Sequence, residues 1–267
     1  MDACIVIPAR YASTRYPGKP LATLRGASGT PRSLIERSVM AARAAAGGAI
    51  PVFVATDDDR IEAEARRIGA DVIRTSDTCR NGTERVAEAI ARAGIAPEIV
   101  VNLQGDAPLT PPHFVTALIG ALRADPSVGM ATPALRCEAE VVENLLADRR
   151  AGRVGATTVV FGASRDALYF SKEVLPFTNG KGVVDGTVPV FHHVGVYAYR
   201  PAALAAYQAW APGPLETLEG LEQLRFLENG HPVRVVEVTA PGAVFWELNN
   251  PSDVALIEGY LARTGQD

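Results

Sequence analysis

The sequence predicts an α/β fold: a mostly parallel sheet with helices on both faces, plus a smaller strand-rich lobe. Three observations predict it. Short runs rich in Ile and Val, such as CIVIP at residues 4–8, are apolar throughout, as expected of strands covered on both faces. These runs alternate with segments whose apolar residues recur at helical spacing. Glycines follow the helical segments, where a left-handed C-cap calls for them.

The elements follow in order. Residues 4–8 form the first strand, and a polar loop covers 9–20. A helix spans 33–46 on Leu34, Val39 and Ala42, and Gly47 and Gly48 end it. A strand at 52–55 leads into a helix that Thr56 and Asp57 cap, that runs to Ile68 and that Gly69 stops. Residues 72–74 are a strand and 83–93 a helix. The strand at 99–102 breaks at Gln104-Gly105-Asp106, and a helix covers 112–124. From 155 to 200 the pattern turns to strands, at 156–161, 167–171 and 190–199, with a Gly-rich stretch at 179–186, a smaller strand-rich lobe or an extension of the main sheet. A helix at 216–228 and a strand at 233–238 follow. Pro251 opens a last helix to Leu261, with Asn250 as its N-cap. Ligands of such sheets sit at the carboxyl ends of the strands, so the loops after Ile7, Ala55 and Asn102 are the places to look.

Composition bounds the function. With 26 Lys and Arg against 30 Asp and Glu, the net charge of −4 argues against a nucleic-acid or anionic-membrane binder. No apolar run nears the length of a membrane span. The N-terminus, with an acid at position 2, reads as a buried strand rather than a secretory signal. The three cysteines, Cys4, Cys79 and Cys137, are too few and too scattered for a disulfide framework or a zinc site, and fit a cytoplasmic protein.

Three loops carry chemistry. The first, from Arg10 through Arg15 to Lys19, joins fixed positive charge to glycine and hydroxyl turns after a buried strand, as a polyphosphate requires. It is not a Walker A loop, because the glycine–lysine spacing is wrong and Pro20 follows Lys19. The second places Asp106 after Gly105 at a strand end, suited to Mg²⁺, which takes one or two carboxylates plus phosphate oxygens; a turn with Asp106 as a helix cap fits the same spacing. In the third, Asn81 or Thr83 could cap the following helix while its backbone amides face a ligand. His193, inside a strand, reads as a satisfied core histidine before it reads as a catalyst. Glu219 and Glu222 lie one turn apart on the predicted helix, an ordinary amphipathic pattern.

Together these segments resemble the 3-deoxy-D-manno-octulosonate (Kdo) cytidylyltransferase family. IPARYASTRYPGKPL, VATDDDRI, NGTER, VNLQGDAP, VGMAT, ALYFSKEVLPF, HHVGVYAYR and PLETLEGLEQLRFLENG occur in the family's order over residues 4–260. The resemblance implies one cytidylyltransferase domain over 1–267, with a nucleotide-binding part at 1–135 and the lobe at 155–200 serving the sugar and a homodimer contact. It implies transfer of CMP from CTP to the anomeric hydroxyl of Kdo with release of pyrophosphate, a step of lipopolysaccharide biosynthesis. By similarity, Arg10, Lys19 and Asp106 are the catalytic set, and Ala9, Arg15, Asn81, Gly82, Thr83 and Arg85 join them around the nucleotide. Gln104, Lys172, His193, Tyr197, Glu222 and Gln223 match the sugar positions, and Asp106 and Asn249 the magnesium positions. Four positions depart from the pattern: Ala107 replaces Glu, Asn81 replaces Ser, Lys172 replaces Arg, and Asn249 replaces the second metal carboxylate. They leave two alternatives, a cytidylyltransferase for another acidic acceptor (a modified ulosonic acid or a phosphonate) and a silent CTP-binding paralogue.

Overall fold

The structure, a computed structural model, describes residues 1–12, 16–153, 156–179, 183, 186–240, 248 and 250–267. Two compact units divide the chain: Met1–Thr116 with Gly242–Asp267, and Ala117–Pro241.

The first unit is built on β1 (Ala3–Ala9), every residue of which is buried. A short hairpin follows, β2 (Thr23–Arg25) and β3 (Pro31–Ser33), which forms a separate two-stranded sheet. Then come α1 (Leu34–Ala46), β4 (Val52–Thr56), α2 (Asp59–Arg67), β5 (Asp71–Arg74), α3 (Gly82–Ala93) and β6 (Ile99–Leu103). The strands lie in the order β5-β4-β1-β6, all parallel. Right-handed crossovers decide the layers. The chain steps from β1 to β4 to β5 in one direction and then returns to β6. Helices α1 and α2, which touch each other, therefore cover one face and α3 the other. The order reverses between β1 and β6, and this switch point is where an open α/β sheet places its ligand. Ile5, Val6 and Ile7 are fully buried there, each worth about 1.5–3 kcal/mol against exposure.

Local chemistry sets the helix ends. The Ser33 hydroxyl accepts from the Glu36 amide at the start of α1, and Gly47 closes it in the left-handed region at φ 55°. The cap of α2 is Asp58, not Thr56 or Asp57: β4 extends through Thr56, so the first side chain free to turn back onto the Arg60 and Ile61 amides is that of Asp58. α4 (Pro112–Ala124) has the bounds that the sequence predicts, and the division between the units falls within it. The C-terminal helix (Asp253–Thr264) starts two residues after Pro251, and Asn250 is not its cap; the Asp253 carboxylate instead accepts from the Asn250 amide at 2.7 Å. Its Ile257, Tyr260 and Leu261 pack with Leu24 and Leu34.

The second unit is built around β7 (Met130–Arg136), followed by α5 (Ala139–Arg150), β8 (Thr157–Phe161), β9 (Ala167–Ser171), β10 (Phe191–His193), β11 (Val196–Tyr199), α6 (Pro201–Ala209), α7 (Pro214–Glu219), α8 (Leu224–Glu228) and β12 (Arg234–Val238). β7 takes β10 and β11 as antiparallel neighbours and β12 as a parallel one. β10 pairs on to β8, and β8 to β9. Asp166 just before β9 bridges to Arg234 of β12, with the Val235 amide donating to the Arg165 carbonyl at 2.7 Å, so the circuit of strands closes. The sequence pattern does not mark β7, α5 or α6, nor the β2–β3 hairpin.

Two predicted elements are interrupted. The strand at 190–199 breaks after His193, where the Val196 amide turns back to the Val194 carbonyl at 2.7 Å. The helix at 216–228 ends at Gly220 in the left-handed region, φ 62°, and resumes at Leu224. Glu219 and Glu222 are thus not successive turns of one helix. No helix of the described residues is long and apolar enough to cross a membrane.

Candidate active site

The loop after β1 is shaped by Gly18. Its amide donates to the Tyr11 carbonyl at 2.9 Å, its φ is 71°, and a Cβ there would lie 2.9 Å from the Tyr11 ring. The Arg60 guanidinium stacks 3.3 Å from the centre of that ring, and Asp58 grips its Nε and Nη2 at 3.0 and 2.6 Å. The N-terminus of α2 thus braces the first loop. Lys19, which opens a single 3-10 turn (Lys19–Leu21), reaches across the switch point and places Nζ 2.7 Å from Asp106 Oδ2. Both side chains keep some exposure, 15% and 26%. Arg10, at the mouth of the loop beside Ala9, is exposed and donates to the Arg80 carbonyl at 3.3 Å. Arg15 and Asn249 lie outside the described residues.

Asp106 is carried by a turn that only glycine allows. A Cβ on Gly105 would sit 2.9 Å from the Pro8 carbonyl oxygen, so the end of β6 passes directly over the end of β1. Ser38 donates to the Gly105 carbonyl, and the Leu248 amide to that of Asp106, each at 2.9 Å. The third loop lies alongside. Asn81 caps α3 by accepting from the Glu84 amide at 2.9 Å. A Cβ on Gly82 would fall 2.8 Å from Gln104 Nε2, so Gly82 admits the Gln104 side chain to the start of the helix. Thr83 is buried. Arg85 is 2% exposed and donates to Thr75 Oγ1 and to the Ser76 carbonyl at 2.5 and 3.3 Å. Asp57 lies 3.2 Å away, close enough for charge attraction but not aligned as a hydrogen bond. Arg85 therefore supports the loop from below. Cys79 beside it donates to Glu88 at 3.0 Å, and burial pushes its thiol up to about 12.

In the second unit Lys172, His193, Tyr197, Glu222 and Gln223 lie on β9 and its end, β10, β11 and the turn between α7 and α8. The Tyr197 hydroxyl donates to Gln223 Oε1 at 3.3 Å. Gln223 is 2% exposed, and its Nε2 has no hydrogen-bond partner among the described residues. Burial pushes the His193 imidazole down to about 3, with the His192 charge as a smaller cause, so the ring is neutral at any working pH. The α7–α8 turn is held from three sides. Glu219 accepts from Ser171 Oγ at 2.7 Å and from the Lys172 amide at 2.9 Å. Glu228 accepts from the Leu215 and Glu216 amides at 2.8 and 2.9 Å. Arg225, fully buried, is bidentate to Glu216 with both bonds at 2.6 Å. Lys172 Nζ lies 3.1 Å from where a Cβ of Gly220 would be, so the bare glycine brings the amine against the turn. Gln104, placed with the sugar positions by resemblance, stands in the first unit beside Gly82.

Comparison with known proteins supplies the family. Residues 4–237 match a family model described as cytidylyltransferase. A 3-deoxy-manno-octulosonate cytidylyltransferase of Maricaulis maris is 44% identical over 266 residues, covering 100% of this chain and 99% of that protein. The chain belongs to the 3-deoxy-manno-octulosonate cytidylyltransferase family. A second member, from Anaeromyxobacter dehalogenans, is 42% identical over 259 residues, covering 97% of each. The solved structure of a CMP:2-keto-3-deoxy-manno-octonic acid synthetase complexed with CTP superposes with a TM-score of 0.79 at 31% identity, covering 99% of this chain and 100% of that one. A cytidylyltransferase of Leptospira borgpetersenii shares the fold, with a TM-score of 0.60 at 14% identity. The α/β fold with its mostly parallel sheet is that of the family.

The site holds residues that sequence reasoning passes over. Glu219 is an anchor rather than a surface acid, Asp58 and Arg60 brace the first loop through Tyr11, and Thr132 lies 3.0 Å from His193 Nε2. Thr132 lies in the family-like segment VGMAT, and Asp58 and Arg60 in VATDDDRI, but no spacing rule marks them. Their partners are distant in sequence.

Proposed function

We propose that this chain transfers CMP from CTP to the anomeric hydroxyl of Kdo. The hydroxyl oxygen bonds to the α-phosphorus, the bond from that phosphorus to the β-phosphate oxygen breaks, and pyrophosphate leaves. The observation that carries the reading is the Lys19–Asp106 pair at 2.7 Å, standing at the switch point between β1 and β6. Cation and carboxylate each stand where a better partner arrives with the substrate. Lys19 passes from Asp106 to the triphosphate, joined by Arg10 from the loop mouth and by Arg15. Ala9, Asn81, Gly82 and Thr83 line the base and ribose, with Arg85 as the support beneath them.

A divalent ion fits this arrangement. Lys19 bonds only Oδ2 of Asp106, so the carboxylate has a second oxygen for a metal, and Mg²⁺ ordinarily takes one or two carboxylates with phosphate oxygens and water for the rest. By resemblance alone, position 249 is the second metal position, with Asn where the family pattern has a carboxylate. When bound, the ion neutralises charge on the phosphates.

On the acceptor side, Lys172 supplies a cation for the sugar carboxylate, while His193, Tyr197, Glu222 and Gln223 address hydroxyls; Gln104 has its sugar role by resemblance alone. The nucleotide part is assigned to 1–135 and the acceptor lobe to 155–200 of one cytidylyltransferase domain. A homodimer in the cytoplasm completes the reading; Leu168, Phe177 and Leu218, exposed at 68, 86 and 83%, offer apolar area in the second unit for a partner copy. The test is pyrophosphate release from CTP and Mg²⁺ with a panel of acid acceptors. Kdo should be used with the highest kcat/KM. A second reading, another acidic acceptor, is favoured by Lys172, a point charge in place of a guanidinium fork; preference for a different acid in the same panel would establish it. Absence of release with every acceptor would leave a silent CTP binder.

A further inference from the structure

Thr132 sits in the middle of β7, fully buried, opposite the break between β10 and β11. Its Oγ1 is 2.9 Å from the Val196 carbonyl, 3.3 Å from the Val194 carbonyl and 3.0 Å from His193 Nε2. A hydroxyl has one proton, and carbonyl oxygens only accept. The proton therefore goes to a carbonyl, the nearer being that of Val196. The oxygen's lone pairs then face His193 Nε2, which must carry a hydrogen and donate it. Phe170 packs edge-on against the imidazole at 5.0 Å, and the Tyr197 ring lies tilted 5.7 Å from it. With Nε2 protonated and the ring neutral, Nδ1 is the acceptor nitrogen of the ring.

We infer that Thr132 is a positioning residue that locks His193 in its Nε2–H tautomer, so that Nδ1 accepts a hydrogen bond from a hydroxyl of the sugar acid. The inference rests on the reading that His193 faces the acceptor. It assigns His193 a binding part: the ring orients a hydroxyl and takes no proton. Hydroxyl-reading groups of this kind discriminate strongly, because an acceptor lacking the hydroxyl leaves the nitrogen unpaired.

The test separates the lock from the reading. Two-bond ¹H–¹⁵N spectra of protein labelled at its four histidines report the tautomer of each ring, with His193 assigned by its loss in His193→Asn. Wild type should show neutral His193 with hydrogen on Nε2, and Thr132→Val should give a mixture of tautomers. The same variant should raise the acceptor KM about tenfold, the worth of one hydrogen bond, while the CTP KM stays put. Thr132→Ser, which keeps the hydroxyl, should restore both. A hydrogen on Nδ1 in wild type, or an unchanged tautomer in Thr132→Val, overturns the lock, and the wild-type spectrum decides even if a variant fails to fold. A lost tautomer with an unmoved acceptor KM overturns the proposed contact and, with it, the placing of His193 at the sugar, though not the cytidylyl transfer itself.

Discussion

The tie between α7 and α8 gives the sharpest prediction about stability. Arg225 has no exposure and Glu216 9%, and the two share a bidentate pair with both bonds at 2.6 Å. Arg225 also stacks 4.0 Å from the centre of the Tyr207 ring and donates to the Trp210 carbonyl at 3.4 Å. Arg225→Met fills most of the volume but leaves the Glu216 carboxylate buried beside a Tyr207 hydroxyl at 3.4 Å and without its cation. Breaking a buried pair from one side costs about 3–5 kcal/mol. That is a large share of the roughly 5–15 kcal/mol that holds a folded protein together. Removing both charges in Arg225→Met/Glu216→Leu leaves no unpaired ion, so the double variant should recover half or more of the loss. The assay is urea denaturation of the four proteins in a double-mutant cycle. Below its transition, Arg225→Met should also bind the acceptor more weakly, because Gln223 lies in the turn that the pair holds. Single variants within about 0.5 kcal/mol of wild type would refute the account of how this turn is fixed.

Lys19→Ala should weaken CTP about ten- to a hundredfold and CMP much less, as the loss of a charge-assisted phosphate contact does; equal losses in titration calorimetry would remove Lys19 from the triphosphate. His193 makes stability depend on pH. Its pKa is lowered from 6.5 to about 3, so below pH 6.5 the unfolded chain binds a proton that the folded chain refuses. Its contribution is complete above pH 6.5 and is lost as the pH falls toward 3, and His193→Gln should flatten the fall in denaturation midpoint across that window. Asn249→Asp should lower the Mg²⁺ concentration for half-maximal activity by restoring a metal carboxylate, and superimposable titrations would take position 249 away from the metal.

The alternation of strands and helices in the first unit was legible because each element there obeys a local rule. β1 is apolar throughout, and α1 and α3 carry Ser33 and Asn81 as caps and Gly47 and Gly94 as stops. The second unit obeys such rules less. β7 keeps a proline mid-strand, and α5 starts without a side-chain cap, so neither stands out by pattern. Gly220 looks harmless in a helical run, and only its φ of 62° reveals the turn. The candidate residues were legible from the order of the motifs rather than from their spacing. Their supports were not, because Asp58–Arg60–Tyr11, Glu219–Ser171 and Thr132–His193 each join segments that only the fold brings together.

Phosphorus NMR of the protein mixed with CTP, Mg²⁺ and Kdo tests the central claim most directly. The three CTP resonances should disappear, with one new phosphodiester resonance of CMP-Kdo and one equivalent of pyrophosphate, because the bond broken joins the α- and β-phosphates. Intact CTP, or CDP with inorganic phosphate, would contradict it.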